Sequence, residues 1–232
     1  MPLGVTIPEN EVRRYMGFRG PVEASPETDA MIKKAVSSLE KDCSPKYVSK
    51  EYPVTVEGTT VHFADITIES RALARKLAGC THCVLFAATA GPACDMLVKR
   101  AAVTSSAYAS CCQAAGAAAI EAYCDLINDK IAEEYEAKGL FARPRFSPGY
   151  GDLPIELQKD VFRALDCPAR IGLTLNESLL MSPTKSVTAV IGLEPGRPDG
   201  ENESRPAEAA AGCAECAQAG CLCRKERLDE DH

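Results

Sequence analysis

Helical spacing of apolar residues first sets in after Ser25. Met31, Ile32, Ala35, Val36 and Leu39 follow a Ser25-Pro26 start, a capping side chain and then a proline at the first turn. The period then shortens. YPVTVEGTTVHFADITI, residues 52–68, places β-branched residues around Glu57-Gly58 and predicts strands joined by a turn. ESRALARKLAG, 69–79, predicts a short helix ended by Gly79. HCVLFAATAG, 82–91, is a continuous apolar run of strand length, suited to the centre of a sheet. PACDMLVKRAAVTSS, 92–106, predicts a second helix.

The longest pattern runs from about Ala107 to Lys138. It is rich in alanine, free of proline and stopped by Gly139, and its alanines and Gly116 predict close approach of another backbone. PIELQKDVFRAL, 154–165, predicts a helix opened by Pro154, and RIGLTL (170–175) and SVTAVIGL (186–193) predict strands. Interleaved strands and helices define an α/β (α+β) domain over residues 1–193. Residues 194–212, rich in Pro, Gly and acids, read as a flexible linker, and 213–232 as a cysteine-rich tail.

Composition narrows the function. The 232 residues are 46% hydrophobic and 25% charged, with a net charge of -7, so no electrostatic footprint for nucleic acid exists. No apolar run approaches the ~20 residues of a membrane helix. The N-terminal residues show no basic stretch followed by an apolar one, so a cytoplasmic protein is expected. Twelve cysteines then read as reduced thiols, metal ligands or small core residues. A Gly-rich phosphate loop, HExxH and a nucleophile elbow are absent. The three histidines, His62, His82 and His232, show no metal-ligand spacing, which argues against histidine-based hydrolysis.

Two stretches carry candidate chemistry. The first is RPRFSPGYGDLP, residues 143–154. Pro144 and Pro148 stiffen it, Gly149 permits close approach, Arg145 suits a carboxylate and Tyr150 suits a flat or cationic group. The set fits an amino-acid-like ligand, but spacing alone favours a rigid turn with Arg145 paired to a surface acid; Arg143 reads as surface charge. The second is CAECAQAGCLC, where Cys213, Cys216, Cys221 and Cys223 lie within eleven residues with no apolar period around them. Structural zinc, an iron–sulfur cluster and free thiols all fit that spacing. Cys111-Cys112 reads as small buried thiols, and Cys80-x-x-Cys83, with no second pair nearby in sequence, does not read as a redox or metal site.

The order of residues after Arg145 resembles a known family. Arg145-x-x-x-Gly149-Tyr150, a helix, Ile171-Gly172, Leu175-Asn176-Glu177-Ser178, Met181, Pro183 and Ser186-Val187 are similar to the activation (reactivation) domain of cobalamin-dependent methionine synthase. EVRRYMGFRG (11–20) and AAGAAAIEAYCDLINDKI (114–131) look like free-standing versions of that domain, so the likeness covers most of residues 9–193. It implies a twisted, mainly antiparallel sheet with flanking helices, of C-shaped or layered form. It implies binding of S-adenosylmethionine, with Arg145 on the carboxylate, Phe146 and Ser147 near the adenine or ribose, and Gly149, Tyr150 and Glu121 at the ligand. Asp125 lies one turn beyond Glu121, and both also fit a solvated helix face. The fused domain opens with an acid that touches S-adenosylmethionine, and no equivalent is identifiable here.

The activity implied is reductive methylation of cobalt(II) on a separate cobalamin-dependent methionine synthase or related corrinoid protein. The partner carries the cobalamin, in keeping with the lack of an Asp-x-His-x-x-Gly signature in this chain. A flavodoxin or ferredoxin would supply the electron, and a metal centre on the four tail cysteines is a further candidate. The alternatives are a chaperone-like partner of another corrinoid methyltransferase without methyl transfer, and a metal-binding interaction protein.

Overall fold

The structure, a computed structural model, describes residues 4–18 and 24–196. It opens with α1 (Glu9–Tyr15) and α2 (Pro26–Asp42), then β1 (Lys46–Glu57), β2 (Thr60–Phe63) and β3 (Ile66–Glu69). α3 (Arg71–Leu77), β4 (His82–Thr89), α4 (Pro92–Thr104) and α5 (Ser106–Glu136) follow. The remainder is β5 (Leu140–Ala142), α6 (Leu157–Leu165), α7 (Cys167–Ile171), β6 (Thr174–Leu175), β7 (Met181–Ser182) and β8 (Ser186–Pro195).

Six strands form one sheet in the order β3-β2-β1-β4-β8-β5, every neighbouring pair antiparallel. Helices cover both faces. Val84, Phe86 and Ala88 of β4 point into a core shared with α1, α2, α4 and α5; Cys83, Leu85 and Ala87 point into a second core under α3, α6 and α7. β4 lies between β1 and β8 and is buried from Cys83 to Thr89, as its unbroken apolar run predicts. The expected antiparallel sheet with flanking helices is the fold observed.

Local chemistry explains the helix limits. Ser25 caps α2 by accepting the Thr28 N–H at 3.2 Å, with Pro26 in the first turn. Ser105 is extended, ends α4, and its Oγ accepts the Tyr108 N–H that opens α5. On α5, Gly116 faces Cys94 of α4 and Lys185, and a Cβ there would sit 2.4 Å from the Cys94 Sγ. The glycine thus sets the close helix–helix approach that its sequence context predicts.

Four expectations change. β1 begins at Lys46 rather than near Tyr52, because only Val48 and Val54 of its twelve residues are buried and the apolar period is too sparse to read. RIGLTL is mostly not strand. Arg170 and Ile171 finish α7, Gly172 stops it in the left-handed region (φ 68°), and only Thr174 and Leu175 pair, with β7. β8 continues to Pro195, two residues into the stretch read as linker. The helix expected from Pro154 begins at Leu157, after a turn in which the Leu157 N–H donates to the Pro154 carbonyl.

Candidate functional site

The loop after β5 is stitched along the edge of β8. The Arg143 N–H donates to the Gly192 carbonyl at 2.8 Å, and Phe146 and Val190 exchange backbone bonds at 2.9 Å each way. The loop tip is fixed from the far side. The Asp152 carboxylate accepts the Ser70 hydroxyl at 2.6 Å, the Arg71 N–H at 2.9 Å and the Ala72 N–H at 3.0 Å, at the start of α3. These bonds, the Ser70 hydroxyl first, hold the Asp152 carboxyl at about 2, below its usual 3.8. Gly149 takes a left-handed φ of 89° and its N–H closes the turn onto the Leu153 carbonyl.

Between this loop, β8, α5 and α1 lies a cavity of about 870 Å³. Arg145, Phe146, Ser147, Tyr150 and Glu121 all line it, so five of the six residues singled out from the sequence converge. Gly149 is not among the lining residues; it shapes the turn that presents its neighbours. The four tail cysteines, Cys213, Cys216, Cys221 and Cys223, and the linker from residue 197 lie outside the described residues. Among the described residues no cluster of histidine, cysteine and acid could hold a metal, and no helix is long and apolar enough to cross a membrane.

Arg145 is the electrostatic centre. Its Nη1 donates to Asp125 at 2.6 Å and its Nη2 to Glu121 at 2.7 Å, the two acids standing one turn apart on α5. Burial opposes the guanidinium charge, and the hydrogen bond to Asp125 with the charges of both acids outweighs it, so the Arg145 pKa is raised. The trio carries one net negative charge. It presents N–H donors beside carboxylates, a pairing that complements a zwitterion. Arg143 is not a surface charge: its guanidinium holds Glu194 at 2.8 Å and the Lys76 carbonyl at 3.3 Å, clamping the loop to the end of β8 and to α3.

The sequence reading passed over several cavity residues. α1 brings Glu11, held by Arg14 at 2.6 Å, to the wall. Asn128, Gln158 and Thr188 also line it, and each keeps one buried oxygen without a hydrogen-bond partner: Asn128 Oδ1, Gln158 Oε1 and Thr188 Oγ1. Gln158 sits in the apolar stripe of α6 beside Leu157, Val161 and Phe162, and Thr188 is a polar residue within the buried run of β8. A polar residue inside a buried stripe is a signal the sequence does contain. Lys185 reaches the same cavity, its pKa pulled down by burial, which outweighs the opposing influence of nearby Cys94 and Asp95.

The family described as vitamin B12 dependent methionine synthase, activation domain, matches residues 73–197, more than half of the chain. This chain belongs to that family. The matched region runs from α3 to the end of β8 and so includes the loop, α5 and most of the cavity wall of this activation domain. A crystal structure of the MetH reactivation domain bound to AdoHcy is similar to it, with a TM-score of 0.60 and 17% identity over 82% of this chain and 77% of that one. At that identity the likeness establishes the activation-domain fold. No curated protein matches the chain.

Proposed function

We propose that this activation domain binds S-adenosylmethionine in the cavity beneath residues 143–150. There it presents the methyl group to the cobalt of a cobalamin carried by a separate methionine synthase. The observation that carries the reading is Arg145 seated between Glu121 and Asp125 on the wall of a ligand-sized cavity. Arg145 takes the ligand carboxylate through its remaining N–H groups, and Glu121 and Asp125 take the α-ammonium. Glu11 is the acid that the start of the chain brings to the cavity wall. Phe146 and Ser147 frame the nucleoside, and Tyr150, 54% exposed, faces the side from which a corrin approaches.

The chemistry asks little of side chains. One electron from a flavodoxin- or ferredoxin-like donor reduces cobalt(II) to cobalt(I). Cobalt(I) then attacks the methyl carbon, the cobalt–carbon bond forms as the carbon–sulfur bond breaks, and S-adenosylhomocysteine leaves with the electron pair on sulfur. No proton moves, so no general base is needed. Holding the two reactants in line is the protein's contribution, worth up to about 7–11 kcal/mol in ideal cases.

Mixing the protein with a cobalt(II) methionine synthase, a one-electron reductant and S-adenosylmethionine tests this. Methylcobalamin absorbance with one S-adenosylhomocysteine per cobalt is expected. Binding of S-adenosylmethionine without methylcobalt would leave a corrinoid partner that does not transfer methyl. No binding in a calorimetric titration would remove the ligand assignment.

A further inference from the structure

Thr188 and Gln158 are the most deeply buried of the cavity's polar groups that lack a partner. Thr188 is 2% exposed and Gln158 6%, and the oxygens left unbonded are Thr188 Oγ1 and Gln158 Oε1. An unpaired buried oxygen destabilises the ligand-free protein, and valine or leucine would fill the same space without that penalty. Both residues line the cavity that holds Arg145. They lie on the other side of the sheet from Glu121 and Asp125. Alternation along β8 puts Thr188 on the face of Val190, which packs in the core under α6, whereas α5 packs on the opposite face. From Arg145 the cavity extends round β8 to Gln158 on α6, which leaves room there for the other end of a ligand whose amino-acid end sits on Arg145.

We propose that Gln158, supported by the Thr188 hydroxyl, reads the edge of the nucleobase and selects a 6-aminopurine. The inference rests on the S-adenosylmethionine reading above. A primary amide offers a donor and an acceptor side by side, and adenine presents an amine donor next to a ring-nitrogen acceptor, the match by which glutamine side chains recognise adenine. On the N6–N7 edge, hypoxanthine replaces the amine with a carbonyl oxygen and sets two acceptors, O6 and N7, against the amide. The ring lies between Phe146 and this pair, and the Thr188 hydroxyl takes the remaining base or ribose contact.

The test titrates S-adenosylhomocysteine and S-inosylhomocysteine into wild-type protein, Gln158→Met and Thr188→Val, and melts each protein without ligand. Wild type is expected to prefer the adenosyl ligand roughly 10- to 100-fold. Gln158→Met is expected to reduce the preference to about 3-fold or less. Thr188→Val, nearly isosteric, is expected to weaken binding of S-adenosylhomocysteine several-fold while raising the ligand-free Tm by about 2–4 °C. That opposition of affinity and stability is a signature a purely structural role would not give. Retained preference in Gln158→Met, or Thr188→Val with unchanged affinity, overturns the inference while the proposed ligand stands. A wild type that binds neither compound overturns both.

Discussion

Arg145→Ala separates ligand binding from folding. The Arg145 side chain is 20% exposed, but its partners Glu121 and Asp125 are 43% and 59% exposed, so water replaces the guanidinium on their side when it is removed. Two half-exposed ion pairs contribute roughly 0.2–1 kcal/mol each. Their loss also leaves two carboxylates one turn apart on α5, a repulsion of about 0.2–0.5 kcal/mol. The folding loss is therefore roughly 1–2 kcal/mol, a fall in Tm of about 2–8 °C for a domain of this size. Binding loses more. A hydrogen bond to a charged group is worth about 1.5–3 kcal/mol, so Kd for S-adenosylmethionine should rise roughly 10- to 150-fold. Calorimetry well below the lowered Tm, with a circular dichroism melt of the same sample, measures both. Arg145→Lys keeps the charge without the fork and should fall between the two. A lowered Tm with unchanged Kd would refute the reasoning and reduce Arg145 to a clasp between loop and helix.

Gly116→Ala adds a good helix former, yet its Cβ would lie 2.4 Å from the Cys94 Sγ and 3.1 Å from the Lys185 Cε. Overpacking of about 1–3 kcal/mol should exceed the helix gain of about 1 kcal/mol, and Cys94→Ala should relieve it in a double-mutant cycle followed by urea unfolding. A stabilised Gly116→Ala would contradict the packing. The Asp152 carboxyl falls from 3.8 to about 2 on folding, so its contribution is present above about pH 4 and is lost as pH drops toward 2. Asp152→Asn should flatten that acid limb of the stability curve, and parallel curves for variant and wild type would exclude the capping role. Burial pushes the Cys83 and Cys124 thiols up to about 12, and all eight described cysteines are buried. Mass spectrometry after alkylation of the native protein should find modification only at Cys213, Cys216, Cys221 and Cys223. Iron and zinc analysis of anaerobically purified protein, beside a Cys213→Ser/Cys216→Ser variant, tests the metal proposal for the tail. Equal metal content in the two proteins would end it.

The fold was legible where burial is one-sided or complete. α2 shows its stripe of Ile32, Ala35, Val36 and Leu39, and β4 its unbroken apolar run, because each buries a regular set of positions. β1 was legible only in its second half, and α1, with Val12 its one buried residue, leaves little pattern to find. Its place comes from contacts distant in sequence: Arg13 on Asp29 at 2.8 Å and the Ile7 N–H on Glu40 at 3.0 Å. At the site, Arg145 and Tyr150 stood out through their setting of prolines and glycine. Asp152 did not, since a carboxylate capping a helix some eighty residues earlier has no local signature.

By itself, the sequence determined the alternation of strands and helices, the stiff loop at 143–154 and the family, because period, turn residues and motif spacing are properties of neighbouring positions. The tertiary structure decided which charges meet. Arg143 and Arg145, two residues apart, take different partners, Glu194 in one case and Glu121 with Asp125 in the other, because the loop follows the edge of β8 between α3 and α5. It also decided that three oxygens from α5, α6 and β8 are left unpaired around one cavity. Such convergence depends on how the layers pack, and that geometry is not written in any single stretch of chain.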